Sequence, residues 1–198
     1  EWMKSHRDQY SPFDDMEEDM PRIYMAFLNT RAKWLGSVTP GAYFTPFEDP
    51  KVLVDWLTQY CEERTPVPDL LLEQITTVGK PCERRLLELL KDEEAPEEAR
   101  MTAIGLLREM ESTLPKMLYI HWQLDRDGQD EMKDNALESL TEMGECVVQP
   151  ILQELHNANA AGEEALLEVL SHFPGNDQIF RLALRLFRER PAKPRRLV

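Results

Sequence analysis

Apolar residues recur along most of this chain with the three-to-four-residue spacing of an amphipathic helix. After Asp49 and Pro50, one face of such a helix is formed by Val52, Leu53, Trp56, Leu57 and Tyr60. Asp49 suits an N-cap and Pro50 a first turn, so we predict that a helix begins at residue 50. Pro21 gives the same signal for an earlier helix over 21–35.

The segment before this first predicted helix is acidic and lacks apolar periodicity. Its carboxylates are those of Asp14, Asp15, Glu17, Glu18 and Asp19. We expect residues 1–20 to form a solvated, partly mobile leader, and the alternative is an acidic docking segment. Glycine and proline residues between 36 and 50 predict a connection, so that 21–66 forms an N-terminal helix pair.

From residue 69 onward the apolar pattern repeats every 32 or 33 residues. The equivalent positions are Leu72, Ile75, Val78, Leu86, Leu87 and Leu90 in the first unit, Ile104, Leu107, Met110, Leu118, Tyr119 and Trp122 in the second, and Leu137, Leu140, Met143, Ile151, Leu152 and Leu155 in the third. A fourth, less regular unit follows. Repeats of this length are typical of stacked supersecondary units that share a core.

Each unit contains two helical stretches, at 69–78 and 81–90 in the first. Gly79 can end a helix in a left-handed conformation, and Pro81 suits the start of the next. Helices this short are marginal alone, so neighbouring hairpins must bury each other's apolar faces. The predicted fold is an all-α superhelix of antiparallel helix pairs, with four hairpins over 67–190 and a basic tail over 191–198.

Two stretches in the repeats resemble a known family. LLELLKDE over 86–93 is followed by EARMTAIGLL over 98–107, and the turn Met143-Gly144-Glu145 separates the helices of the third unit. They are similar to the HEAT repeat, including its bilin-lyase-like short form, in which Arg precedes Ala at the opening of a first helix. Lys133 and Ala136 hold these places in the third unit. The resemblance covers about 67–188 and implies a HEAT/armadillo-like solenoid.

The fourth unit departs from the family pattern. Gly162 stands where the basic residue is expected, and Phe173-Pro174-Gly175 replaces the simple Gly turn. Departure at one end is typical of a capping repeat. The resemblance says little about function, because HEAT-like arrays mostly bind proteins, whereas a few bind nucleic acid or act as enzymes.

Side chains that could carry chemistry are scattered along the chain. The histidines His6, His121, His156 and His172 match no catalytic or metal-binding spacing. Cys61, Cys82 and Cys146 are an odd number of cysteines at wide spacing, whereas a zinc site or a disulfide framework needs closer sets. We predict a non-enzymatic protein without metal or cofactor, with free thiols, in the cytoplasm. No stretch approaches the ~20 apolar residues of a membrane span, and the N-terminus lacks the apolar core of a signal peptide.

The net charge of −14 at pH 7 comes from 37 acidic and 23 basic side chains. This excess opposes unspecific binding to nucleic acid or to an anionic membrane. The charge is unevenly distributed. The predicted first helices are strongly acidic and the second helices slightly basic, and residues 181–198 contain seven basic side chains and one acidic side chain.

The slightly basic second helices are the candidate binding surface. In HEAT arrays the second helices line the concave face, and the repeat shifts predict two columns across it. These columns are Arg84, Lys116, Gln149 and Arg181, and Glu88, Ile120, Gln153 and Arg185. The predicted partner-binding residues are Arg84, Arg85, Lys116, His121, Gln149, Arg181, Arg185 and Arg188.

Three interpretations of this surface stay open. The basic residues can simply favour the C-terminal end of the last helix, ahead of a solvated tail. The groove can instead bind an acidic segment of a partner protein or peptide, or the chain's own acidic leader, which is the function we expect. The alternative is a HEAT-like nucleic-acid-binding or base-excision protein that stacks bases on Trp122 or Tyr119, although both match core positions. For a third function, that of a bilin-type lyase, the sequence offers no positioned Cys or carboxylate.

Overall fold

A computed structural model of the chain describes residues 13–189. All regular structure in this range is helical, which confirms the all-α prediction. The α-helices are α1 Phe13–Asn29, α2 Pro50–Glu62, α3 Asp69–Val78, α4 Lys80–Lys91, α5 Glu97–Glu109, α6 Lys116–Leu124, α7 Glu131–Glu142, α8 Val148–Glu154, α9 Ala160–Ser171 and α10 Asp177–Glu189. Short 3-10 helices cover Lys33–Leu35, Pro40–Ala42, Gly144–Val147 and Leu155–Asn157.

The first helix differs from its prediction. It begins at Phe13 rather than near Pro21, so residues 13–20 of the predicted mobile leader are helical. Pro21 lies inside the helix, where its ring nitrogen cannot donate a hydrogen bond, and the helix ends at Asn29 rather than at residue 35. The remainder of the predicted leader and the predicted basic tail over 191–198 lie outside the described residues.

Local capping explains where several of the other helices begin and end. The Asp49 side chain accepts a hydrogen bond from the Lys51 amide at 2.9 Å, as predicted for the start of α2. Asp130 caps α7 in the same way through the Lys133 amide at 3.0 Å. Gly79 separates α3 from α4 with a φ of +70°, which side chains with a Cβ rarely adopt.

The helices pack in two rows. In one row α3, α5, α7 and α9 contact one another in succession, and in the other α2 contacts α4 while α6 contacts α8. The rows meet where α4 packs against α5, where α6 packs against α7 and α9, and where α8 packs against α9. Contacts between helices two places apart in the chain give these short helices the shared core that they need.

Equivalent repeat positions occupy that core. Ile75, Leu107 and Leu140, at the same place in α3, α5 and α7, are each fully buried. The second helices follow a register that differs from the prediction by one residue at α6. Their matching buried positions are Leu86 and Leu90, Tyr119 and Gln123, and Ile151 and Leu155.

This change of register corrects part of the predicted surface. Ile120 is fully buried, so it cannot belong to an exposed column with Glu88 and Arg185. Gln123 takes a core position in α6, where its amide donates to the Lys133 carbonyl at 2.9 Å. The polar positions of α6 therefore lie one residue away from the places that the repeat shift assigned.

Candidate functional site

Two grooves lie along the second helices, and they differ in charge. The groove between α2 and α4 has a volume of about 310 Å³. Its charged lining residues are Asp55, Glu62, Glu88, Asp92 and Arg85. The groove between α8 and α10 is larger, at about 450 Å³, and its charged lining includes Arg181 and Arg185. The described part of the second-helix surface is thus acidic near α2 and basic near α10.

Arg85 belongs to a structural ion pair rather than to a basic surface. Its guanidinium donates to Asp55 at 3.0 Å and to Glu88 at 2.8 Å, which joins α4 to α2. Hydrogen bonds from Lys51 and Arg85 hold the pKa of the Asp55 carboxyl below its usual value. Because two carboxylates already occupy Arg85, this residue is poorly suited to bind an acidic partner.

The groove between α8 and α10 combines an apolar lining with exposed cations. Arg181 and Arg185 are one helical turn apart on α10, and both are exposed. Within residues 13–189 neither guanidinium forms an ion pair. His156 and Glu163 also line the groove. Its apolar lining residues are Leu152, Leu155, Leu182 and Leu186.

The other predicted binding residues lie outside this groove. Arg84 is exposed on α4, Lys116 is half-buried at the start of α6, and His121 is exposed on α6. Gln149 is exposed on α8 and donates a hydrogen bond to Gln178, and Arg188 is exposed on α10. The structure therefore groups Arg181 with Arg185 and separates this pair from Arg84 and Arg85.

Sequence reasoning missed His156 and the apolar lining of this groove. The alternation of arginine and leucine at 181, 182, 185 and 186 could have indicated an apolar strip bordered by cations. Nothing in the sequence around His156 indicates a role, because only the packing of α10 beside α8 brings its imidazole to the groove.

The aromatic residues proposed as a base-stacking surface lie largely inside the protein. Tyr119 is fully buried, and its ring packs 5.6 Å from that of Trp122. Trp122 is half-buried, and the Arg100 guanidinium lies 5.9 Å from its ring centroid. The Tyr119 ring is therefore inaccessible to a flipped base.

We expect Tyr119→Phe to raise the free energy of unfolding by about 1 kcal/mol. The Tyr119 hydroxyl is buried with no hydrogen-bond partner, and burial raises its pKa because the charged form is disfavoured. Urea unfolding followed by circular dichroism would measure the change. Half-buried Tyr60→Phe is the control, for which we expect little change. A clear loss of stability for Tyr119→Phe would show that this hydroxyl has a partner.

Groups suited to metal or thiol chemistry are not assembled in the described residues. Within residues 13–189, no three His, Cys, Asp or Glu side chains are grouped so that they could hold a metal ion. Cys61 and Cys82 are buried free thiols, and burial raises the pKa of Cys82 to about 11. Cys146 is an exposed free thiol. Among the described helices, none has the length and apolar character needed to cross a membrane.

Comparisons of the chain with protein-family models, with curated proteins and with solved structures find no match. The groove between α8 and α10 therefore carries the functional interpretation by itself.

Proposed function

We propose that this chain is a non-enzymatic interaction module that binds an acidic, amphipathic segment of a partner protein in the groove between α8 and α10. The observation that carries this proposal is the pairing of two exposed arginines, Arg181 and Arg185, with a leucine-lined surface. The rest of the chain is strongly acidic, so this groove is a local exception to its net charge of −14.

The chemistry of the groove favours one class of ligand. Leu152 and Leu186 are half-buried, and their exposed parts favour an apolar side chain of the partner, whereas the two guanidiniums favour carboxylates beside it. An amphipathic helix with acidic flanks supplies both groups on one face. A purely acidic peptide would lack the apolar contact, and an apolar one would leave the arginines without partners.

The architecture that we propose for this module is a short HEAT-like α-solenoid in the cytoplasm. The spacing of the repeats, the resemblance of 86–107 to HEAT units and the two rows of helices support this arrangement. Free thiols at Cys61, Cys82 and Cys146 are in keeping with a reducing compartment. The burial of Tyr119 argues against the alternative nucleic-acid-binding function, in which this ring would stack on a base.

The proposal is tested with two labelled synthetic helical peptides that share one apolar face. Outside that face, the first peptide carries glutamate at every position and the second carries lysine. Fluorescence anisotropy measures the binding of each peptide to the full chain. We expect the glutamate peptide to bind, and Arg181→Glu with Arg185→Glu to weaken it by about tenfold or more. Binding should also weaken as salt concentration rises.

A matched control distinguishes the effect of the groove arginines from the effect of the net charge. Lys80 and Lys91 are exposed on α4, so Lys80→Glu with Lys91→Glu changes the net charge equally without touching the groove. We expect this variant to bind the glutamate peptide as the unmodified chain does. Equal binding of both peptides, or equal losses in both variants, would overturn the proposal.

A further inference from the structure

The first helix leaves an apolar face open. Met20, Tyr24 and Phe27 follow one another at spacings of four and three residues, which puts them on the same side of α1. Each is about half exposed, at 48%, 48% and 50%. The main contact of α1 among the described residues is with the short helix Pro40–Ala42, and that contact leaves this face uncovered.

The same helix is strongly acidic. Its first turns contain four acidic residues ahead of Asp19, which itself pairs with Arg22 at 3.0 Å. The four are Asp14, Asp15, Glu17 and Glu18. α1 is therefore an acidic amphipathic helix with an open apolar face, which is the class of ligand suited to the groove between α8 and α10.

The opposite end of the helix series is complementary to α1. α10 is the last described helix, and its side toward the groove carries Leu182 and Leu186, with Leu152 and Leu155 across the groove. Arg181 and Arg185 lie on the same helix, and Arg188 follows one turn later. The groove at this end therefore combines leucines with cations, whereas α1 at the other end combines an apolar strip with carboxylates.

The linker after α1 holds that helix at the N-terminal end. The Leu28 carbonyl approaches Gly41 so closely that a Cβ there would lie 3.0 Å from its oxygen. Further along, Phe44 is buried, and the Phe47 carbonyl accepts a hydrogen bond from the Gln74 amide at 2.8 Å. These contacts fix α1 near α2 and α3, whereas the groove lies between α8 and α10.

We propose that copies of this chain associate head to tail, with α1 of one copy bound in the groove between α8 and α10 of the next. The inference rests on the proposed function, because it assigns an occupant to the same groove. Since the two surfaces differ, the contact is heterologous and leads to rings or filaments rather than to a closed twofold dimer. A single-helix contact is small, so we expect weak association, with a Kd on the order of 10 to 100 µM.

A charge-swap experiment tests the contact in the full chain. One variant replaces the four acidic residues at 14, 15, 17 and 18 with lysine, and the other carries Arg181→Glu with Arg185→Glu. Sedimentation velocity at low salt should show association of the unmodified chain and monomers of each variant alone. A mixture of the two variants should associate again, because each then offers a helix of opposite charge to the other's groove.

Two further variants test the apolar part of the contact between α1 and the groove. Tyr24→Asp with Phe27→Asp should abolish association, and both residues are exposed, so the fold is expected to survive. Met25 is 56% exposed on the same helix but lies on a different side, so Met25→Asp should leave association unchanged. Circular dichroism of each variant checks that the helices remain.

Two results would overturn this inference. One is an unmodified chain that stays monomeric at all concentrations, and the other is association that persists in both charge variants or fails to return in their mixture. The peptide assay separates the two proposals. A monomeric chain that still binds the glutamate peptide would refute head-to-tail association and keep the proposed function. A monomeric chain that does not bind the peptide would refute both proposals.

Discussion

Replacing Gly162 with alanine is expected to lower the free energy of unfolding by about 3 kcal/mol. Gly162 lies in the first turn of α9, where a Cβ would stand 2.0 Å from the carbonyl oxygen of Gln123 and 3.0 Å from that of Leu124. Both atoms are backbone, so α9 must move away from the C-terminal end of α6 to admit a methyl group. Alanine's higher helix propensity, worth about 1 kcal/mol, is too small to offset that displacement.

The displacement would also disturb the hydrogen bonds that join these two helices. The Asn159 amide N–H donates to the Leu124 carbonyl at 2.8 Å, and its side-chain amide donates to the Arg126 carbonyl at 2.8 Å. The Asn159 side chain also caps α9 through the Gly162 amide at 2.8 Å. Loss of these hydrogen bonds should weaken the docking of α9 onto α6.

Gly105→Ala is the control for this prediction. Gly105 lies inside α5 with no atom within 4 Å of the position that a Cβ would take, so alanine should stabilise the chain by about 1 kcal/mol. Urea unfolding of both variants, followed by circular dichroism, gives the comparison. Similar stability changes in the two variants would contradict the close approach of α9 to α6.

Leu140→Asp is expected to lower the free energy of unfolding by about 3 to 5 kcal/mol. Leu140 is fully buried in α7, which packs against α5, α6 and α9, so the change removes apolar contacts and places a carboxylate in the core. For a chain of this size the midpoint of thermal unfolding should fall by roughly 10 °C. Differential scanning calorimetry measures both quantities.

Leu114→Asp provides the exposed comparison. Leu114 is 47% exposed in the connection before α6, so the same change there should alter stability by less than about 1 kcal/mol. A thermal midpoint for Leu140→Asp close to that of the unmodified chain would show that the third repeat does not share the common core.

The periodicity of apolar residues predicted most of the helices correctly. From α2 to α10 each predicted helix is present, and Ile75, Leu107 and Leu140 are buried as the repeat requires. These features follow from local spacing, because a helix must turn its apolar side inward wherever it packs. The register predicted for α6 was wrong by one residue. Leu118, Tyr119 and Ile120 are consecutive apolar residues, and spacing alone does not determine which of them points inward.

The start of α1 could not be predicted from the same pattern. Pro21 is typical of a first turn, but a helix tolerates proline at the loss of one hydrogen bond when the residues before it also favour helix. The acidic residues from 14 to 19 lack apolar spacing and yet are helical, so an interpretation based on spacing classed them as leader.

Only part of the candidate site was accessible to sequence reasoning. Arg181 and Arg185 were identified from charge, and they do line a groove. Arg85 carries the same charge but is paired with Asp55, 30 residues away, and that pairing depends on how α2 lies against α4. A sum of charges along a helix does not record which of them are already neutralised by a neighbouring helix.

The sequence by itself determined that this chain is helical, that its apolar pattern recurs every 32 or 33 residues and that its basic residues concentrate near the C-terminal end. Tertiary structure alone decided that Arg181 and Arg185 line the groove at α10 while Arg85 is paired with Asp55, and that α1 keeps an open apolar face. It also decided that Gly162 is required for α9 to approach α6. The physical reason is the range of the forces involved: helix formation depends on neighbours within one turn, whereas grooves, ion pairs and close backbone contacts depend on residues brought together by packing.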